Sequence, residues 1–371
     1  DPVELRLRNY AERDENEDKP FTSKELRECY RQGAERFGWS RRDPRPGSMR
    51  EGHELIGWGM ASGVWEANML KTSARAKLTA DGRLAIACAT SDIGTGTYTI
   101  LAQIAADSLG LPMEAVEVSL GDSTLPDSPV QGGSWTAASA GSAVSAACLS
   151  LRKELLRLAA KIDGSPLAEA GLGDVAFTQG SIRLIADPGR AVPLAQALAA
   201  GGKESLEATE SAGPGLIGMM LPKSHSSYTH SAVFAEVRID EELGVLRVTR
   251  IVSAVAAGRI LNPKTARSQI LGGVVWGVGM ALHEEGMTDH RLGRVMNHSL
   301  AEYHVPVNAD IHDIEVIFVE EEDEKASPIG VKGLGEIGVV GTAAAIANAV
   351  HHATGKRIRN LPITIDKILA G

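Results

Sequence analysis

The feature that most constrains this chain is a glycine turn that occurs three times, each time opening into a stretch of helical character. The turns read "DIGTGTYT" at residues 92–99, "QGGSWTAAS" at residues 131–139 and "GLGEIG" at residues 333–338. Glycine admits left-handed backbone and lets other groups come close to the main chain. A helix start adds four unpaired N–H groups and the positive end of a dipole, which together attract anions. Any one of these turns is compatible with a purely structural role. The three together suit a cradle for a large, phosphate-bearing ligand. Forty glycines in 371 residues, beside only 4% aromatic residues, agree with a chain built on close backbone approach.

A single carboxylate interrupts the third turn. Glu336 sits in "GVKGLGEIGVVGTAAAIANAV", residues 330–350, among glycine, alanine and branched aliphatics. "GLGEIG" matches G-x-G-x-x-G, but a dinucleotide site needs a strand running straight into the first glycine. The preceding strand ends near Val319, a charged loop follows, and Glu336 would aim an anion at a pyrophosphate. Two readings of the residues remain open. Glu336 is an exposed first-turn acid favoured by the helix dipole. Alternatively it is a general base, with Ile337, Val339 and Val340 disfavouring its charged form.

The rest of the composition excludes several classes. At roughly 100–200 residues per domain, the length suggests two or three domains. The chain is 43% hydrophobic and 23% charged, ordinary for a soluble globular protein. A net charge of −9 weighs against a nucleic-acid partner. The longest apolar runs, such as "ILGGVVWGVGMAL", fall short of the ~18 residues of a membrane span and suit a buried helix. Cys29, Cys88 and Cys148 are far apart, so neither a disulfide framework nor an iron–sulfur or zinc set is expected. No HExxH is present, and the pairs His225/His230 and His351/His352 read as surface or hydrogen-bonded histidines rather than metal ligands. The opening "DPVELRLRNYAERDENEDKP" reads as cut from something longer, with no signal sequence visible. The expected location is cytoplasmic, with the periplasm possible if export is directed from outside this sequence.

Periodicity divides the chain into three segments. Residues 1–51 form a charged helical segment and linker. In "FTSKELRECYRQGAERFGW", Thr22 is the expected N-cap, Glu25 completes a capping box, and Phe21 with Leu26 forms a hydrophobic staple. Leu26, Tyr30, Ala34 and Phe37 follow at helical spacing. Residues 52–215 carry strands in "LIGWGMASGVWEA", "SARAKLTA" and "RLAIACAT", the last two joined by an Asp81-Gly82 hairpin turn. Two glycine-entry helices, a strand "AVEVSLGD" and a small hairpin "VAFTQGSIRLI" follow, up to a polar boundary near 200–215. Residues 216–371 begin with a strand, turn and long strand, then a helix started by Asn262-Pro263. A strand "DIEVIFV" then runs into "EEEDEKASPIG", whose charges are expected to be solvated. The irregular mixture predicts an α+β fold, two-layer mixed and antiparallel sheets packed with helices, rather than a regular βαβ repeat. Trp65 and Trp135 could each fill core or wall a pocket, with the core favoured for Trp65 and neither favoured for Trp135. Asp122 and Asp127 fit turn chemistry.

With "DIGTGTYTILAQIAADSLGL…QGGSWTAASAGSAV", "SQILGGVVWGVGMALHEE" and "KGLGEIGVVGTAAAIANAV" in this order, the chain resembles the molybdenum-binding large subunit of the xanthine dehydrogenase/aldehyde oxidase family. It is most like the bacterial aldehyde oxidoreductases built from three subunits, and the likeness runs over residues 1–371, matching that subunit's C-terminal half. The resemblance implies the molybdopterin-binding fold of these hydroxylases. It also implies a molybdopterin cofactor, expected as the cytosine dinucleotide, with molybdenum held by the pterin rather than by side chains. No iron–sulfur centre or FAD of this chain's own is expected. Glu336 takes the place of the catalytic base, framed by Gly333 and Gly335. Gly94, Thr95, Gly96, Thr97 and Tyr98 match the turn whose backbone approaches the pterin. Gly132, Gly133, Ser134, Thr136 and Ser139 match the turn near the cofactor phosphates, and Gln269 a glutamine that hydrogen-bonds the pterin. Many relatives carry glutamine where Thr95 stands, so a side-chain contact is expected to be missing there. The implied reaction is hydroxylation with water as oxygen source, of an aldehyde or an N-heterocycle. The implied partners are the N-terminal half of the subunit, a 2Fe–2S subunit and an FAD subunit. The alternative is a non-catalytic cofactor-binding or assembly fragment, and a third class, a nicotinamide dehydrogenase, rests on "GLGEIG" alone.

Overall fold

The computed structural model describes residues 1–215 and 223–370. Residue 216, where the last segment is expected to start, therefore lies outside the described residues. The chain forms two compact units. One comprises Asp1–Ala67, Ser224–Glu322 and Gly333–Gly371, the other Asn68–Lys223 and Asp323–Lys332. Their mixture of helices and largely antiparallel sheets is the α+β class expected from the sequence.

The first unit is built on a five-stranded sheet, ordered Asp313–Phe318, Leu246–Ala256, Tyr228–Asp240, Glu54–Glu66 and Arg50–Glu51. All pairs are antiparallel except Leu246–Ala256 with Asp313–Phe318, which run parallel. That parallel pair is possible because the helix Pro263–Leu282 intervenes between them. Asn262 starts this helix as expected, its side chain accepting from the N–H groups of Lys264 and Thr265 ahead of Pro263.

Glycine on Glu54–Glu66 sets how closely the next layer sits. Side chains alternate along a strand, so Gly57, Gly59 and Gly63 share a face. A Cβ at Gly59 would lie 2.2 Å from the Ala345 oxygen, and one at Gly57 would lie 2.0 Å from the Ala349 oxygen. The backbone of the helix Thr342–Thr354 rests on the strand there, and only glycine leaves room. Ile270, Val274, Ile346 and Val350 fill the core with Val233, Val237 and Ile251.

The helix Leu26–Phe37 packs on the opposite face. Phe37 meets Trp58 edge-on, with ring centres 5.0 Å apart, and Phe234 at 5.8 Å. Leu26, Tyr30 and Phe37 are buried, as the spacing predicts. The expected cap is not formed. The helix starts at Leu26 with Glu25 as N-cap and no side-chain cap bond. Instead the Thr22 N–H donates to the Ser226 carbonyl and its hydroxyl pairs with Ser227. A cap is worth about 1 kcal/mol, and pairing with a distant segment outcompetes it.

The second unit has a four-stranded sheet, ordered Ser205–Ala212, Thr72–Thr79, Leu84–Ala87 and Val116–Ser119. The central hairpin turns at Gly82 with φ +83°, as Asp81-Gly82 suggests. Leu84–Ala87 and Val116–Ser119 run parallel, joined through the helix Thr97–Leu109. The polar sequence near 200–215 supplies the edge strand Ser205–Ala212. The helix Thr136–Ala160 buries Ala140, Ala143 and Ala147. Val175–Thr178, Ser181–Leu184 and Ala191–Pro193 make a separate three-stranded sheet.

The acidic run is not simply solvated. Glu320, Glu322 and Glu324 are exposed, but Glu321 and Asp323 are buried, an alternation natural to extended backbone. Glu321 accepts from the Ser23 hydroxyl at 2.8 Å and the Gly258 N–H at 2.7 Å. Asp323 pairs with Lys332 at 3.0 Å.

Candidate active site

In the first unit the GLGE turn is held from two sides. The Gly333 carbonyl accepts a 2.6 Å hydrogen bond from Thr229, a fully buried residue on Tyr228–Asp240. Gly338 lies against the Pro263–Leu282 helix, where its added Cβ would meet the Ile270 oxygen at 2.8 Å and one at Gly273 would meet Gly338 at the same distance. Between these anchors Glu336 is half-buried and its neighbour Ile337 is completely buried. The Glu336 carbonyl accepts from Val339 N–H in a run of turns, and the next helix begins only at Thr342. Glu336 therefore precedes the helix rather than lying in its first turn, and it is only partly exposed. Gln269 precedes Ile270 on the helix segment that touches Gly338, and it too is half-buried. Gln269, Gly333, Gly335 and Glu336 thus lie on neighbouring segments of one unit.

The other two turns belong to the second unit. Gly94 and Gly96 take φ of +98° and +83°. The helix amides after them are not left open as the sequence suggested. The Asp92 carboxylate accepts from the N–H groups of Gly94 at 2.8 Å, Gly96 at 3.3 Å and Tyr98 at 3.3 Å. Burial opposes ionisation of Asp92, but the N–H groups of Gly94, Tyr98, Gly96 and Thr95 outweigh it and hold the carboxyl below its usual range. This turn already contains its anion. The "SDIG" sequence carried that signal, an aspartate two residues before glycine.

Gln131 ties the two turns together. Its Oε1 accepts from Ser91 Oγ at 2.7 Å, and its Nε2 donates to Thr95 Oγ1 at 3.5 Å. Thr95 and Thr97 hydroxyls are 3.1 Å apart. Gly133 and Ser134 are both left-handed, at φ +54° and +61°. Trp135 explains the first: a Cβ on Gly133 would lie 2.2 Å from its ring, while the indole N–H donates to the Val130 carbonyl. Trp135 thus shapes the turn. Thr136 opens a helix with no side-chain cap. Ser139 is buried and its hydroxyl accepts from Leu70 N–H at 2.9 Å, a structural tie.

His352 is a hydrogen-bonded core histidine, accepting from Trp58 N–H at Nδ1 and facing the Asp43 carbonyl with Nε2. Trp65 packs on the main core. Among the described residues no group of three or more His, Cys, Asp or Glu could hold a metal ion. None of their helices is long and apolar enough to cross a membrane.

These two units have known counterparts. Over 99% of its length the chain superposes on quinoline 2-oxidoreductase from Pseudomonas putida 86, with a TM-score of 0.85 and 24% identity, covering 49% of that chain. The fold is that of a molybdenum hydroxylase's cofactor-binding domains. Residues 32–312 match the molybdopterin cofactor-binding domain family, and the chain belongs to it. It is 43% identical over 370 residues to the aldehyde oxidoreductase molybdenum-binding subunit PaoC of Escherichia coli K12, covering all of this chain and 48% of that protein. It is 30% identical to the xanthine dehydrogenase molybdenum-binding subunit of Escherichia coli O157:H7, covering 99% of this chain and 49% of the relative. The chain spans about half the length of the curated relatives it matches.

Both glycine turns of the second unit leave space beside the main chain: a Cβ at Gly94 would meet nothing within 4 Å, and at Gly132 the nearest atom is 4.0 Å away.

Proposed function

We propose that this chain is the C-terminal part of the catalytic subunit of a molybdenum hydroxylase that oxidises an aldehyde, or hydroxylates an N-heterocycle, with oxygen from water. One observation carries the reading. Glu336 is held half-buried on a turn clamped by Thr229 and by the Ile270–Gly273 segment, as a base with a fixed aim must be. The 43% identity to an aldehyde oxidoreductase subunit supports the aldehyde as first substrate class.

In this reading the cofactor is molybdopterin as its cytosine dinucleotide. Gly94–Tyr98 line its pterin with backbone, Gln269 hydrogen-bonds it, and the 132–136 turn with the uncapped start of Thr136–Ala160 receives its phosphates. Because Asp92 occupies the amides of the Gly94 turn, anion binding falls to the second turn. When bound, the cofactor supplies the two-electron redox centre. The chain's own contribution is proton transfer: a Glu336 Oε removes the proton from the oxygen nucleophile as it attacks the substrate carbon. The remaining half of the subunit, an iron–sulfur subunit and an FAD subunit complete the enzyme, so the isolated chain turns over little or no aldehyde.

The test is Glu336→Gln in the complete enzyme, with kcat, molybdenum and pterin measured together. A base of this kind contributes roughly 10²–10⁴-fold, so kcat falls by at least that while cofactor content is kept. A near-normal kcat, or loss of cofactor with the rate per bound molybdenum unchanged, sinks the assignment.

A further inference from the structure

The helix Pro263–Leu282 carries a face that the described residues leave uncovered. From Ser268 to His283 it contains no charged residue. A helix apolar on all sides belongs in an interior. Yet Ser268, Gly272, Trp276 and Met280, four residues apart and so on one stripe, are all exposed. Trp276 is 63% exposed and Met280 52%.

Gly272 supplies an independent observation. Glycine disfavours a helix interior, and elsewhere on this helix it has a visible reason. Gly273 abuts Gly338, Gly277 abuts Thr342, and Gly279 faces Glu284 and Pro306. A Cβ at Gly272 would meet nothing within 4 Å. The stripe has the composition of an interface centre: an aromatic, a methionine, small residues and no charge.

We propose that the Ser268–Gly272–Trp276–Met280 stripe is the docking surface for the polypeptide that makes up the other half of the complete subunit, which approaches the helix backbone at Gly272. The inference rests on the proposed function for its partner. The occupant is chosen because relatives carry about as much chain again as this one, which covers 48% of PaoC. A charge-free apolar centre also suits a permanent contact rather than a passing one.

Hydroxyl-radical footprinting of the isolated 371-residue chain and of the complete subunit reads the surface directly. Trp276 and Met280 are expected to be labelled in the chain and protected at least tenfold in the complete subunit at every concentration. Equal labelling in both overturns the proposal. Protection within the isolated chain that disappears on dilution also overturns it, in favour of a second copy. Gly272→Leu in the complete subunit is the second measurement. It should lower the melting temperature of the complete subunit, while the same change in the isolated chain and a control Leu243→Glu elsewhere on the surface do not. No effect of Gly272→Leu on the complete subunit overturns the proposal as well. None of these readouts needs turnover, so they stand or fall separately from the Glu336 test.

Discussion

Lys332→Met offers a quantitative test of how the segment leading into the GLGE turn is held. Lys332 Nζ lies 3.0 Å from Asp323 Oδ2, and neither side chain has any exposure. Asp323 Oδ1 also accepts from the N–H groups of Lys325 at 3.0 Å and Ala326 at 2.9 Å, which keeps the carboxylate in place. At this distance and an effective dielectric of about 20, the attraction is roughly 5 kcal/mol, much of it offset by desolvation of both ions. Removing one partner exposes the full desolvation cost of the other, so Lys332→Met should destabilise the chain by about 3–5 kcal/mol. At ~2–4 °C per kcal/mol for a unit of this size, the melting temperature falls by roughly 6–20 °C. Replacing both, Lys332→Met with Asp323→Asn, should recover most of the loss, since the ion is gone while the Asn side-chain oxygen still accepts from the Lys325 and Ala326 N–H groups. Urea titration followed by circular dichroism gives the numbers. A single variant within about 1 kcal/mol of the parent, or a double variant as unstable as the single one, refutes the reasoning.

Three further outcomes follow from the geometry. Burial, with Arg42 and His351 adding to it against the Asp43 carbonyl, pushes the His352 imidazole below its ordinary 6.5, so unfolded chains take up the proton first. Stability is full above pH 6.5 and declines as pH falls from there toward the lower folded value, and melting of His352→Gln across pH 5–8 should lack that slope. Gly59→Ala, whose Cβ would lie 2.2 Å from the Ala345 oxygen and Ala349 nitrogen, should cost about 3 kcal/mol in urea unfolding; a cost below ~1 kcal/mol contradicts the packing. Thr229→Val removes the 2.6 Å donor to the Gly333 carbonyl. In the complete enzyme it should lower kcat about tenfold, a loss of ~1.4 kcal/mol in transition-state stabilisation, with molybdenum content kept and Thr229→Ser restoring the rate. Unchanged kcat removes Thr229 from the account of Glu336.

Much of the architecture was legible because its cause is local. Asn262-Pro263 starts a helix through its own side chain and fixed φ, and Asp81-Gly82 turns a hairpin through glycine's left-handed backbone. The spacing of Leu26, Tyr30 and Phe37 named a buried face before any partner was known. The ordered glycine turns also pointed to the cofactor-binding family to which the chain belongs. The Thr22 capping box misled because Ser226 and Ser227, some two hundred residues away, compete for the same groups. Asp92 went unread as an internal anion, although its spacing to Gly94 held the signal.

By itself the sequence determined what each residue can do to its own backbone: where the chain turns, where helices begin, which faces are apolar, and that a lone glutamate follows the glycines of the third turn. Tertiary structure alone decided which polar groups are withdrawn from water. Glu321 meets Ser23 and Thr229 meets Gly333 across long intervals of chain. Glu336 leaves the helix for a clamped turn because Gly338 meets Ile270 and Gly273. Burial is a property of what packs alongside, and residues far apart in the chain do that packing.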